Sequence, residues 1–441
     1  MKPITMLFAP GVTRDSDALR QVGQVLLHHK QDRSPSIALV SALDGVTPLL
    51  AESLSVDTYQ RVFNKLLSIH SNVARKMVRE EHDRSMLIQD VTDILDSYRW
   101  LGRSMINRGP TLAEAATVLA IGERLSARLL AGFLQYQGAH AALLDAHTIL
   151  MTDDTFHSAH PDIPATQTAI RRKLAPVLRN AYIPVMGAAG GGTSDGKPTR
   201  LPADRGAVAL AQATESSALH LWLAQNPLGD TSQGGMILPD ELAGMAPYLP
   251  DLPPLETLKQ ALDSYIPVVL RGMDRPLAPG IQINNNAPLL LPGKFRAVIA
   301  QEALQIITLN GLTHQSDHAL NVLAEGNIRA VMARQGRDKL VFFVPMPHVQ
   351  TAVKRLEQAF GSESVTLNLG EDTLGLLTLF GAGLMTLPDL ARQIESRLEA
   401  AGIAFITTVW TTGQPEGDFN LSVIVEPDAL QPGLTVLQTL I

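Results

Sequence analysis

Glu123, within Gly122-Glu123-Arg124-Leu125-Ser126, is the acid whose placement most invites chemistry, because a carboxylate at the start of a helix faces whatever lies above that end and can act as a reactive group there. Leu125, Leu129, Leu130 and Phe133 recur with helical spacing, which predicts a helix opening at Ile121 with Glu123 in its first turn. An acid there also suits the positive helix end with no ligand at all. Ser41 and Thr47 bracket a second candidate, Ser41-Ala42-Leu43-Asp44-Gly45-Val46-Thr47, a polar run following an apolar one. Hydroxyls there can bind a ligand or satisfy a turn. Asp145 and Thr152-Asp153-Asp154 form a third polar edge, and Gly187 to Lys197 is a glycine-rich loop carrying a lysine. That loop matches neither the phosphate-loop nor the dinucleotide fingerprint, so it is expected to be a flexible surface hairpin or loop. His147, His157, His160 and His318 are dispersed without a metal-ligand spacing, and structural roles are expected for them.

The elements that must hold these groups alternate between strand and helix. Met6 to Ala9 and Ser36 to Val40 are apolar runs of the kind buried in parallel sheets, and the second ends in the Ser41–Thr47 run, at the strand end where open α/β sheets place ligands. Helices are expected from Ala51 to Arg108, with Arg79 to Arg84 as a solvated face. Further strands are expected at Ala141 to Leu144, Ile183 to Met186, Ile266 to Leu270 and Gly280 to Ile283, with a helix over Ala207 to Leu221. The prolines between Pro239 and Pro254 predict irregular coil. After a linker at Asn284 to Lys294, two smaller α+β units follow the order strand, helix, strand, strand, helix, strand; the second is one strand short, and Phe295 to Ala300 is a candidate to complete it.

Composition bounds the reading. A chain of 441 residues exceeds one core, and two or three domains are expected. A net charge of -7 and 5% aromatic residues argue against nucleic-acid binding. The absence of cysteine removes disulfides, thiolate metal sites and cysteine nucleophiles. With no run resembling a membrane span or signal peptide, a cytoplasmic location is expected.

In order and spacing these motifs resemble the aspartokinases. Ser41 to Thr47 matches the family's S-A-x-x-G-V-T; Gly122, Glu123, Leu125 and Ser126 match G-E-x-L-S; Asp145, Ala146, Thr152, Asp153, Phe156 and Ala159 match D-A followed by T-[DN]-x-x-F-x-x-A. The resemblance implies an α/β fold, an amino-acid kinase-like αβα sandwich over residues 1–283, a linker at 284–294, and ACT-like α+β units over 295–370 and 371–441. It also implies amino-acid binding by Ser41, Thr47, Glu123 and Thr152, with Glu123 meeting the ligand ammonium, and a homodimer formed through the ACT-like units. Departures from the family are concentrated on the phosphate side. Where the family has K-F-G-G-T-S this chain reads Leu7-Phe8-Ala9-Pro10-Gly11-Val12, and where it has T-T-L-G-R-G-G-S-D, Ala203 and Ala207 stand for the arginine and aspartate. W-T-D-V-x-G-I becomes Trp222 to Leu228, F-G-A-K-V-L-H-P has no counterpart around Tyr248, and Leu312 to Asp317 replaces a glycine-bearing effector loop. Phosphoryl transfer rests on positioned charge. The expectation is therefore a catalytically inactive homologue, with no catalytic residue, metal or cofactor, that binds an amino acid or regulates a partner enzyme. The alternative is a divergent aspartate kinase using ATP and Mg²⁺, with Lys197, Arg200, Asp204 or Arg205 as replacements.

Overall fold

The computed structural model describes residues 2–31, 35–54, 58–105, 108–224, 235–249, 252–287, 294–311, 315–326, 328, 330–335, 338–367, 373–412 and 419–440. The chain divides into two compact units, Met1–Asn226 with Pro253–Asn284, and Pro227–Leu252 with Asn285–Ile441.

The first unit is built on a sheet ordered Ala141–Leu143, Ile183–Gly187, Ser36–Val40, Ile4–Phe8, Ala218–Leu223, Val268–Gly272 and Ile281–Ile283. Neighbours run parallel except the last, which is antiparallel to Val268–Gly272. Ile4–Phe8 and Ser36–Val40 are buried almost throughout, as central parallel strands with both faces covered should be. On one face Met6, Phe8, Ala38 and Val40 pack against Val22, Val25 and Leu26 of helix Ser16–Gln31 and Leu130 and Leu134 of helix Leu112–Tyr136. A second core joins Leu66, Val91, Leu95, Tyr98 and Leu129, from helices Tyr59–Met77, Glu81–Met105 and Leu112–Tyr136.

Two expectations change here. Helix Leu112–Tyr136 starts well before Ile121, because Thr111 and Glu114 form a reciprocal capping box, so Glu123 lies in the helix interior and not in its first turn. The expected helix to Leu221 stops at Ala213, and Ala218–Leu223 is a central strand. Its residues are apolar enough for burial on both faces, which hides the period that separates strand from helix.

In the second unit, strand Phe295–Asn310 serves both α+β repeats. Its first half pairs with Leu374–Gly381 and its second half with Lys339–Pro345. The strand missing from the second repeat is thus the upstream half of a strand whose other half belongs to the first. Pairings continue from Lys339–Pro345 through Val331–Gln335, Thr407–Thr412 and Phe419–Val425 to Leu374–Gly381, closing a circuit of strands. Helices Ser316–Glu325 and Val349–Phe360 cover one core, and Leu390–Ala400 and Pro427–Gln438 another. The expected coil after Pro239 is instead the helix Pro239–Met245 and the turn Ala246–Tyr248, because proline is tolerated in a helix's first turn.

Candidate functional site

At the carboxyl ends of the central strands of the first unit lies a cleft of about 830 Å³. Four stretches build it: Pro10, Gly11 and Arg14 after the first strand; Ser41 to Gly45, Thr47 and Pro48 after the second; Ala188 and Ala189 after Ile183–Gly187; and Arg200 to Ala203. Glu123 and His157 complete its polar lining. Gly45 adopts a left-handed φ of 72° that lets the chain turn from the second strand into helix Val46–Glu52, which places Thr47 at the cleft.

Three of the four residues expected to meet a ligand come together here. Ser41 donates its hydroxyl to the Phe8 carbonyl at 3.0 Å, tying the ends of two adjacent strands, and Thr47 is half-buried. Glu123 lines the cleft already paired. Arg200 reaches it with both terminal nitrogens, Nη2 donating to Oε1 at 3.1 Å and Nη1 to Oε2 at 3.4 Å, and the side chains are only 17% and 7% exposed. Burial pushes the Glu123 carboxyl up, and the Arg200 guanidinium opposes that shift by charge and hydrogen bonding.

Thr152 sits behind this pair and does not line the cleft. Its hydroxyl exchanges a 2.7 Å hydrogen bond with that of Thr199, the residue before Arg200, and its N–H donates to the Gly192 carbonyl. Thr199 and Arg200 lie on strand Pro198–Arg200, which pairs with Gly190–Gly192. The glycine-rich stretch is therefore a hairpin whose glycine arm is buried, while its turn at residues 194–197 is exposed. A side chain on Gly191 would meet Thr152 and Thr199, and a Cβ on Gly192 would fall 2.0 Å from the His147 carbonyl oxygen. The glycines permit close packing of the strand that delivers Arg200.

The remaining polar edge is structural. The Asp153 carboxylate accepts the His160 N–H and ring nitrogen and the Thr155 N–H, contacts that hold it below the usual range. Asp145 pairs with Arg124 at 2.7 Å. These two, with His147, Glu123 and Thr199, line a separate small pocket of about 40 Å³. Of the replacements weighed for a lost cation, Arg200 reaches the cleft, whereas Lys197 is exposed and paired with Asp195 at 2.7 Å. Asp204 and Arg205 lie in the first turn of helix Ala203–Ala213. Arg14, which no motif singled out, lines the cleft and pairs through Nε with Asp15 at 3.5 Å. Among the described residues no group of three or more His, Cys, Asp or Glu is placed to hold a metal ion, and no helix is long and apolar enough to cross a membrane. The effector-loop stretch from Leu312 lies partly outside the described residues.

Comparison with known proteins gives consistent matches. The Amino acid kinase family matches residues 12–226. Lysine-sensitive aspartokinase 3 of Escherichia coli (strain K12) is 25% identical over 342 residues, which is 73% of this chain and 71% of that protein. The crystal structure of the E. coli aspartokinase III complex with lysine and aspartate superposes with a TM-score of 0.67 at 20% identity, covering all of both chains. The chain is aspartokinase-like. A third match, the aspartate kinase of Clostridium acetobutylicum, has a TM-score of 0.56 at 14% identity over 99% of this chain and 98% of that one. The aspartokinase-like architecture is thus an amino-acid kinase domain followed by ACT-like domains. Arg200, three positions before Ala203, was among the replacement residues weighed from the sequence, but nothing in the sequence pointed to its pairing with Glu123.

Proposed function

We propose that this aspartokinase-like chain binds a free amino acid in the cleft without phosphorylating it, and acts as a sensor or as the regulator of a partner enzyme in amino-acid biosynthesis in the cytoplasm. The observation that carries this reading is the Glu123–Arg200 pair on the cleft wall. An α-amino acid presents an ammonium and a carboxylate a few ångströms apart, the complement of that pair. On binding, the ligand ammonium takes the Glu123 carboxylate and the ligand carboxylate takes the Arg200 guanidinium, so each buried charge keeps a partner throughout. Ser41 and Thr47 border the same space, and Thr152 acts on Arg200 through Thr199. E. coli aspartokinase III, similar in fold, was crystallised with aspartate and lysine, which is consistent with an amino-acid ligand.

The absence of turnover is supported by the charge inventory. Where the family carries its phosphate-side lysine, Leu7 and Phe8 are buried apolar residues, and Pro10 at the cleft has no N–H to offer an oxyanion. Arg200 is committed to Glu123, and Ala203 lines the cleft where the family motif has arginine. A second copy of the chain, pairing through the ACT-like units, is the expected partner in a homodimer. The test is a thermal-shift panel of amino acids and nucleotides. An α-amino acid that raises the melting temperature while ATP–Mg²⁺ does not supports the reading, because a ligand selective for the native state stabilises it by mass action. Stabilisation by ATP–Mg²⁺ alone contradicts it.

Arg14 favours a second reading, the divergent aspartate kinase, since it supplies a cation at the cleft from the loop after the first strand. ATP-dependent acyl hydroxamate formation that is abolished in Arg14→Met would establish that activity.

A further inference from the structure

One face of the first unit's sheet carries polar groups that the cleft does not use. His220 and Trp222 stand two positions apart on strand Ala218–Leu223, and Arg271 is the register partner of Trp222 on Val268–Gly272. The three side chains therefore share the face on which helix Ser16–Gln31 packs. None of them lines the cleft. Trp222 stacks on Phe8 with ring centroids 5.7 Å apart, and the Arg271 guanidinium carbon stands 5.4 Å from the indole centre. From the last turn of the helix, the His29 ring lies 5.7 Å from that of His220 and edge-on to the indole at 6.5 Å.

These groups lack the acceptors that burial normally demands. Trp222 is fully buried, yet its indole Nε1 donates to nothing among the described residues. His220 is only 5% exposed, and its Nδ1 has no partner among them either. The Arg271 Nε is likewise buried without an acceptor, although Nη1 donates to the Ala278 carbonyl at 2.8 Å. Polar groups in such surroundings are nearly always hydrogen-bonded. Three neighbours that share one face and lack an acceptor point to an acceptor supplied from outside the chain.

Local charge selects an anion for that role. Among the described residues no carboxylate pairs with Arg271, and burial lowers its pKa with no opposing charge. Burial first, then the charges of Arg271 and His29, push His220 down to about 3, so its ring is neutral and its surroundings are positive. A guanidinium held in place suits an oxyanion, which accepts several hydrogen bonds at once. Gly280 helps to hold it: its φ is 79°, and a Cβ there would fall 2.7 Å from the Leu270 carbonyl oxygen and 2.9 Å from the Arg271 Cγ. Along Val268–Gly272 and Ile281–Ile283, Val269, Arg271 and Gln282 on this face are half-buried, whereas Val268, Leu270, Ile281 and Ile283 on the other are buried. The lighter cover on the arginine's side gives a small solute its approach.

We propose that Trp222, Arg271 and His220 form a second ligand site, separate from the cleft, that takes a small oxyanion, a carboxylate or a phosphate, with Trp222 Nε1–H, Arg271 Nε–H and His220 Nδ1–H as donors. The site requires no amino acid in the cleft and stands apart from the proposed function. The test follows the indole N–H resonances of the three tryptophans in the full-length chain, with that of Trp222 assigned through Trp222→Phe. Inorganic phosphate, acetate and chloride are titrated in turn at constant ionic strength. A saturable shift of the Trp222 resonance is expected with phosphate or acetate and not with chloride, and the tighter of the two oxyanions identifies the source. Arg271→Met, which keeps an unbranched stem over the indole, is expected to weaken that binding about tenfold, the size of one charge-assisted hydrogen bond. His220→Leu removes a different donor and is expected to weaken it too, which keeps the test open if Arg271→Met fails to fold. No saturable shift with either oxyanion, an equal shift with chloride, or binding unchanged in whichever variant folds overturns the proposal. Failure of every amino acid to bind the wild-type chain would overturn the cleft reading and leave the anion result standing.

Discussion

Removing the Glu123 carboxylate from water costs several kcal/mol by itself, and the Arg200 guanidinium offsets that cost only while both are present. Glu123→Ala, which strands a mostly buried guanidinium, is therefore expected to destabilise the first unit by about 3 kcal/mol. The double replacement Glu123→Leu with Arg200→Met should be close to neutral, and a double-mutant cycle by chemical denaturation measures the difference. Arg200→Met alone has a pH signature. The Glu123 carboxyl, already raised by burial, loses the cation that opposed the shift and rises further. A carboxyl raised in the folded state contributes stability below its unfolded value that is lost as pH rises through the folded one. The variant should accordingly be more impaired at neutral pH than in mild acid. Neither the partner nor the burial of Glu123 was legible in the sequence, because the pairing spans 77 positions and depends on a hairpin that brings them together.

At the scale of elements, the glycine hairpin, buried along its glycine arm, is the support of the site. Gly192→Ala would drive a methyl into the His147 carbonyl, and the resulting shift of strand Pro198–Arg200 is expected to cost about 3 kcal/mol and to abolish ligand-induced thermal stabilisation. Composition marked this stretch as a surface hairpin or loop and not as a buried hairpin, since glycine serves loops and close packing equally. Helix Tyr59–Met77 carries a second consequence. His70 is fully buried, its Nδ1–H donating to the Leu66 carbonyl at 2.7 Å, and burial lowers its pKa to about 4. A histidine depressed in the folded state contributes stability above its unfolded value near 6.5 that is lost as pH falls toward the folded one. About 3 kcal/mol should be lost between those limits, and His70→Leu should flatten that part of a stability-versus-pH curve. The alternation of strand and helix that builds the parallel sheet was readable from apolar runs. Ala218–Leu223 was not, because burial on both faces erases its period, and Pro239–Met245 was masked by prolines that a first helical turn accepts.

For the whole molecule, motif order was enough to place an aspartokinase-like fold, as the full-length superposition on E. coli aspartokinase III agrees. The assignment of Pro227–Leu252 to the second unit could not be seen that way, since sequence order runs it between two strands of the first. Amino-acid binding without phosphoryl transfer is the claim that ties the cleft to the rest of the chain, and isothermal titration calorimetry on the full-length protein tests it most directly. Saturable heat is expected with at least one α-amino acid, lost in both Glu123→Gln and Arg200→Met, with no micromolar binding of ATP–Mg²⁺. Clear micromolar binding of ATP–Mg²⁺, or amino-acid binding that survives both substitutions unchanged, would contradict it.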